Sequence, residues 1–187
     1  MGVCCESTMG DPGMLHDLPP PNLVGIKDLY KKWEYQTPFK RTSFKAFKLA
    51  VNAAAIDCGG TEEGFVTIDS LANHLYTPAW KDIKQPGSNL CKVLNNDAFK
   101  DPVKGQRAEQ IDIKYLLMFA LYHCRDIDSL ENKCVGLYEI LNDSMDKHTQ
   151  ISASDKDMKP AWMKMCAFAT TELFDFAMIK GGVKYTD

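Results

Sequence analysis

Residues Gln110–Ile151 read QIDIKYLLMFALYHC, RDIDSLENKCVGLYEILND and SMDKHTQI in succession. Ile111 and Ile113 alternate with polar neighbours, the period of a short strand. From Ile113 the apolar positions move to helical spacing, through Leu116, Leu117, Phe119 and Ala120 to His123 and Cys124. Asp126, Asp128 and Ser129 interrupt that stripe. Ser129 is placed to cap a second helix, with Asn132 where a capping box puts Glu or Gln. Leu130, Cys134, Leu137, Tyr138 and Leu141 fall on one face of that helix, which ends in Asn142-Asp143-Ser144. Gln150-Ile151-Ser152 again has strand character. The order is strand, helix, break, helix, polar loop, strand.

The same alternation runs upstream. Phe44, Phe47, Val51 and Ala55 predict a helix over Ser43–Ile56 with Ser43 as N-cap. The glycine-rich run Asp57–Gly64 follows, then a strand Phe65-Val66-Thr67-Ile68 and a helix over Asp69–Tyr76. Asn89–Asn95 reads as a short helix and Asn96–Glu109 as a long polar loop. Downstream, Lys156–Pro160 reads as a break. A helix over Ala161–Ile179 then carries Trp162, Met165, Phe168, Ala169, Leu173 and Phe176, is stopped by Gly181-Gly182, and precedes a strand-like Val183-Lys184-Tyr185. Core packing is the preferred reading of its Met and aromatic stripe. The functional alternative is a groove for a partner helix, lined by Trp162, Met165, Phe168, Leu173 and Phe176.

Ile111, Ile113, Leu116, the word Ser129-Leu130-Glu131 with Lys133, and Leu137, Tyr138 and Ile151 together resemble the middle of an EF-hand protein. The layout is similar to that of the calcineurin B and neuronal calcium sensor families. The resemblance implies an all-α fold of paired helix–loop–helix lobes, with short antiparallel strand contacts between loops. Four loops centre on Val66, Ile111, Ile151 and Val183, at separations of 45, 40 and 32 residues. Val66 is expected beside Ile111 and Ile151 beside Val183. The implied division is an arm over 1–22, a lobe with a leading helix over 23–125, and a lobe over 126–187 whose last hand lacks its exiting helix.

A calcium loop takes oxygens at positions one, three, five, seven, nine and twelve, with Gly at six and Glu at twelve. With each central residue at position eight, the first loop offers Gly59, Thr61 and Glu63, with Ser70 at twelve. It lacks the first carboxylate unless Asp57 bulges in. The second loop offers Lys104, Gln106, Ala108 and Tyr115, and the fourth Phe176, Met178, Lys180 and Asp187. The third is the best of the four, with Ser144, Asp146, His148 and Asp155. No metal is expected, Ser144, Asp146 and Asp155 being weak calcium candidates, and no other cofactor is expected.

Composition narrows the class. Of 187 residues, 45% are apolar and 25% charged, with a formal net charge of −3, which suits a globular protein and not a nucleic-acid binder. No apolar run reaches the ~18–20 residues of a membrane span, and Met1–Asp11 has no signal-peptide core. The seven cysteines form no CxxC, so they read as reduced thiols, with Cys58, Cys91, Cys124, Cys134 and Cys166 as small hydrophobes of the core or its edge. His74 and His123 read as satisfied core-edge histidines. No catalytic constellation is visible, so a non-enzymatic role is expected.

Met1–Pro21 reads as an extended arm, opening with Met-Gly-Val-Cys-Cys-Glu-Ser. Gly2 after Met removal is a myristate acceptor, and Cys4 and Cys5 are palmitoylation candidates. Glu6 stands where the motif has Ser or Thr, with Ser7 next. Two acyl groups are what a stable hold on a membrane requires. Leu23, Ile26, Leu29, Tyr30 and Trp33 then share one helical face, opposite Lys27, Lys31 and Lys32. That face reads as packing on the domain behind it, the alternative being a membrane surface.

The favoured expectation is a calcium-independent adaptor or scaffold subunit, tethered by its arm at the cytoplasmic face of a membrane and binding a helix of a protein partner. The alternatives are a calcium sensor with one or two working hands and a structural subunit of a large assembly. The triple variant Gly2→Ala, Cys4→Ser, Cys5→Ser is expected to leave the membrane fraction for the soluble one. Cell fractionation measures this, and unchanged partitioning would remove the acyl arm as the anchor.

Overall fold

Strand-to-helix handovers organise this chain, and each is set by a side-chain cap. The computed structural model describes residues 37–60, 64–100, 109–127, 129–144 and 158–170. Among these residues there are six α-helices and one two-stranded antiparallel sheet, an all-α architecture with a minimal sheet. The elements are α1 (Phe44–Asp57), β1 (Phe65–Thr67), α2 (Ile68–His74), α3 (Asn89–Leu94), β2 (Gln110–Asp112), α4 (Ile113–His123), α5 (Leu130–Ser144) and α6 (Met158–Thr170). Short 3-10 turns occur at Phe39–Arg41, Pro78–Trp80 and Asp97–Phe99.

β1 pairs with β2 about Val66 and Ile111, flanked by Phe65 opposite Asp112 and Thr67 opposite Gln110. This is the expected register, and both central side chains are buried. Ile68 and Ile113 are the first residues of α2 and α4, not strand residues. Thr67 and Asp112 end the strands by capping: Thr67 Oγ1 accepts the Ser70 N–H at 3.1 Å, and Asp112 Oδ1 accepts the Tyr115 N–H at 3.1 Å. Ser70 Oγ completes a capping box by accepting the Thr67 N–H at 3.0 Å. Ser43 and Ser129 cap α1 and α5 as their sequence positions predict, accepting the N–H groups of Ala46 and Asn132. Gly59 and Gly60, at φ 110° and 119°, turn the chain out of α1 through backbone that L-residues avoid. Ile151 and Val183, the other expected pair, lie outside the described residues, as do the arm and the stretch 23–35.

α4 is buried along nearly its whole length, from Tyr115 to Leu121 and again at His123, so it is the central helix. Phe119 is its hub. Its ring meets Phe39, Phe99 and Phe168 edge-on at 5.2, 5.1 and 5.5 Å between centroids. Phe39 in turn touches Trp80, which stacks on Phe47 at 5.5 Å, so the ring chain reaches α1. Trp80 Nε1 donates to Thr42 Oγ1 at 3.1 Å, satisfying its one polar atom in the core. Asn96–Glu109 is not a plain loop: Asn96 Oδ1 caps the Asp97–Phe99 turn through the Ala98 N–H, and Phe99 is fully buried.

α5 and α6 both pack on α4. Gly136 brings α5 so close that a Cβ there would lie 2.5 Å from Leu121 Cδ1. Lys164 on α6 donates to Ala98 O at 2.5 Å and stands 4.9 Å over the Tyr115 ring. α6 begins at Met158, not Ala161, so the expected break over Lys156–Pro160 is corrected at its end. Pro160 lies in the first turn, where its missing N–H costs no helical bond. Ile140, Leu141, Ala161, Met165 and Phe168 belong to the same core as Phe47 and Leu71. The described residues on either side of position 125 therefore share one buried cluster.

His123 differs from the satisfied core-edge histidine expected of it. It is 6% exposed, its ring lies 4.2 Å from Phe119, and its Nε2 has no hydrogen-bond partner. Burial pushes its pKa down to about 3, helped by the positive charges of Lys40 and Lys133 and opposed by a backbone bond to Phe168. The unfolded chain, with the ordinary histidine value of ~6.5, binds the proton more readily. Stability from this site is complete above that value and falls as pH drops towards 3, by ~1.4 kcal/mol per unit. Melting temperature is expected to decline between pH 7 and 4.5, and a His123→Asn variant is expected to show a flatter decline. Parallel curves for the two proteins would disprove it.

Candidate functional site

Among the described residues, polar side chains near the first two expected calcium loops are engaged elsewhere. Asp57 Oδ2 lies 2.9 Å from His74 Nε2, so the one carboxylate that could complete the first loop by bulging in is turned to α2. Ser70, at the loop's twelfth position, has its Oγ between Thr67 N, Thr67 O and Cys58 Sγ. In the second loop Tyr115 is buried under Lys164, with Lys114 also 5.1 Å from its ring. Ser144 is the last residue of α5. Asp146, Asp155, Thr61, Glu63, Lys104 and the whole fourth loop lie outside the described residues. Among the described residues no group of three or more His, Cys, Asp or Glu side chains could hold a metal ion.

A different surface emerges on α5 and α6. The buried face of α5 is Gly136, Ile140 and Leu141, with Leu137 and Lys133 half-buried beside it. That is rotated from the expected face, so Leu130, Cys134 and Tyr138 are exposed, Leu130 to 77%. The rotated face is centred on Gly136, where α5 closes on Leu121. Val135 is also exposed. The expected partner-groove set is divided by α6: Met165 and Phe168 are core residues, while Trp162 is 58% exposed. Leu173 and Phe176 lie outside the described residues. Cys134 and Cys166, expected in or near the core, are both exposed.

Contacts fix how these helices run. Lys133 lies over Tyr122 and Gly136 faces Leu121, so α5 runs antiparallel to α4. Lys164 meets Tyr115 and Phe168 meets Phe119, so α6 runs parallel to α4. Tyr122 sits at the end of α4, with Lys133 Nζ 5.4 Å from its ring. Its pKa is raised, chiefly by burial and then by Cys166 and Cys134. Leu130 is one turn from Cys134, and Trp162 one turn from Cys166. Among the described residues, Leu130 and Cys134 on α5 and Trp162 and Cys166 on α6 are exposed, and Tyr122 on α4 is half-buried. Sequence periodicity put Leu130, Cys134 and Tyr138 on one face with Leu137 and Leu141 because the exposed positions adjoin the buried ones on the helix wheel.

No family model matches the chain, and neither a curated protein nor a solved structure matches it.

The two α6 aromatics should separate stability from surface function. Phe168→Ala is expected to cost ~3–5 kcal/mol, as for a buried aromatic. Trp162→Ala should stay within ~0.5 kcal/mol, as for a surface position. Urea unfolding of both variants measures this, and equal losses would contradict the division.

Proposed function

We propose that this protein is a non-enzymatic, EF-hand-like adaptor, held at the cytoplasmic face of a membrane by acyl groups on Gly2 and on Cys4 or Cys5. It binds a helix of a protein partner without calcium. The observation that carries the reading is the pairing of Val66 with Ile111, each strand passing at once into a helix. This is the arrangement expected of two paired hands with those residues at the centres of their loops. The chemistry of the loops supports calcium independence. A ligand shifts a conformational equilibrium only by its differential affinity for the two states. Lys104, Tyr115, Phe176 and Lys180 stand at ligand positions, and a lysine there repels the ion.

The exposed side chains of α5 and α6, Leu130, Val135 and Trp162 among them, are the docking surface in this reading. Aromatic and aliphatic side chains with a polar edge suit the apolar side of an amphipathic helix. No described helix is long and apolar enough to cross a membrane, so the attachment is assigned to the arm. Partners recovered on the full-length protein should be the same in excess calcium and in excess chelator, and Trp162→Ala should weaken their recovery while leaving circular dichroism unchanged. A partner set that changes with calcium would overturn this reading in favour of a sensor, with Asp146 and Asp155 as the first residues to mutate.

A further inference from the structure

The residues just before α1 run along the C-terminal end of α4. Phe39 packs on Phe119, the Arg125 N–H donates to Thr42 O at 3.3 Å, and Asp126 Oδ1 accepts the Phe44 N–H at 2.7 Å. Lys40 and Arg41, between Phe39 and Thr42, therefore stand beside the stretch from Phe119 to Arg125. Their turn is held from several sides. The Arg41 N–H donates to Pro38 O at 3.0 Å, while Thr42 Oγ1 donates to Pro38 O at 2.8 Å and accepts from Trp80 Nε1 at 3.1 Å. Three cationic residues, Lys40, Arg41 and Arg125, are thus brought to one end of α4, each half-buried. Among the described residues none of the three is in an ion pair. Arg41 Nε is buried and has no hydrogen-bond partner. A guanidinium keeps its charge in a protein, so this donor cannot be relieved by losing its proton. Leaving a buried charged donor without an acceptor is costly, and an unmodelled ion is one of the ordinary answers to such a group. The charges point the same way. Asp126 is one carboxylate, and its Oδ1 is taken by the start of α1. Lys133 and Glu131, early in α5, add one charge of each sign. With ~0.5 of a negative charge from the end of α4, about 1.5 positive charges remain uncompensated.

We propose that Lys40, Arg41 and Arg125 form a binding site for a phosphate monoester at the C-terminal end of α4. Such a group carries ~1.5–2 negative charges at neutral pH, which matches the local excess. Its oxygens accept from Arg41 Nε and from the Arg125 guanidinium, whose planar forks suit phosphate, and Lys40 adds a point charge. The bonds at Pro38 and Thr42 fix the turn beforehand, so binding orders little that is not already ordered. Two sources offer this group: the headgroup of an anionic phospholipid and a soluble phosphate ester. The site stands apart from the adaptor reading, since it needs neither acyl groups nor a partner helix. On a membrane, three basic residues strengthen an acyl anchor without replacing it.

The test uses the full chain carrying Gly2→Ala, Cys4→Ser and Cys5→Ser, so that no acyl group contributes. Glycerol phosphate is titrated by calorimetry. Co-sedimentation is measured with phosphatidylcholine vesicles that contain phosphatidic acid or, at equal charge, phosphatidylserine. Saturable binding is expected to glycerol phosphate, to phosphatidic acid in preference to phosphatidylserine, or to both. Arg41→Gln and Arg125→Gln should each weaken that binding about tenfold or more, as the loss of a charge-assisted hydrogen bond does. Arg41→Lys, which keeps the charge and removes Nε, should also weaken it. Lys159→Gln removes an exposed charge at the start of α6, towards the other end of α4, and should leave binding unchanged. Circular dichroism and the urea midpoint check that each variant is folded. Arg125→Gln keeps its backbone bond to Thr42, so it tests the site even where an Arg41 variant fails to fold. A preference for phosphatidic acid that Arg125→Gln abolishes assigns the lipid headgroup. Saturable glycerol phosphate binding with equal sedimentation on the two vesicles assigns the soluble ester. Absence of saturable binding to both probes overturns the site. So does a loss on Lys159→Gln as large as that on Arg125→Gln, which assigns the attraction to overall charge.

Discussion

The ring of Phe119 is the contact on which the rest of this fold depends. It joins Phe39 before α1, Phe99 in the turn before β2, and Phe168 in α6. Each of these comes from a segment that would otherwise have only local structure. A 3-10 turn of three residues is too short to be stable alone, and a two-stranded sheet of three residues per strand is no better. The edge-on packing of these rings gives the turns a place to anchor. It also explains why α4 is buried around its circumference: helices and turns from both ends of the chain close on it.

Much of this was legible in the sequence, for identifiable reasons. The strand register about Val66 and Ile111 followed from β-branched residues set between helical stripes. Ser43 and Ser129 followed from cap chemistry. What sequence reading lost were large side chains without periodicity: Phe39, Trp80 and Phe99 sit in 3-10 turns, where no period of 3.6 or 2 exposes them. The face of α5 was displaced because Gly136, an apparent weakness in a helix, is the site of closest approach to α4. Trp162 was grouped with Phe168 by spacing alone, yet six residues separate them and the two fall on opposite sides of the boundary between core and surface.

The oxygens of the first loop region are used within the fold. Ser70, Thr67 and Asp57 all carry oxygens of the kind a hard cation takes. In this chain they are used to start α2 and to tie α1 to His74. The side-chain oxygens serve the helix ends.

The hub also has a temporal consequence. Phe119 lies 20 residues from Phe99, 49 from Phe168 and 80 from Phe39. Closing such loops costs chain entropy before any ring contact repays it, although the cost grows only slowly with length. Completing the hub needs contacts distant in the chain, and topologies rich in such contacts fold slowly. During synthesis the first half can pair its strands once Asp112 has emerged. The hub still waits for Phe168, leaving the outer side of α4 uncovered while the intervening residues are made. Newly made chains thus pass through a state with an apolar helix face turned to solvent, the state in which a growing chain is most exposed to aggregation.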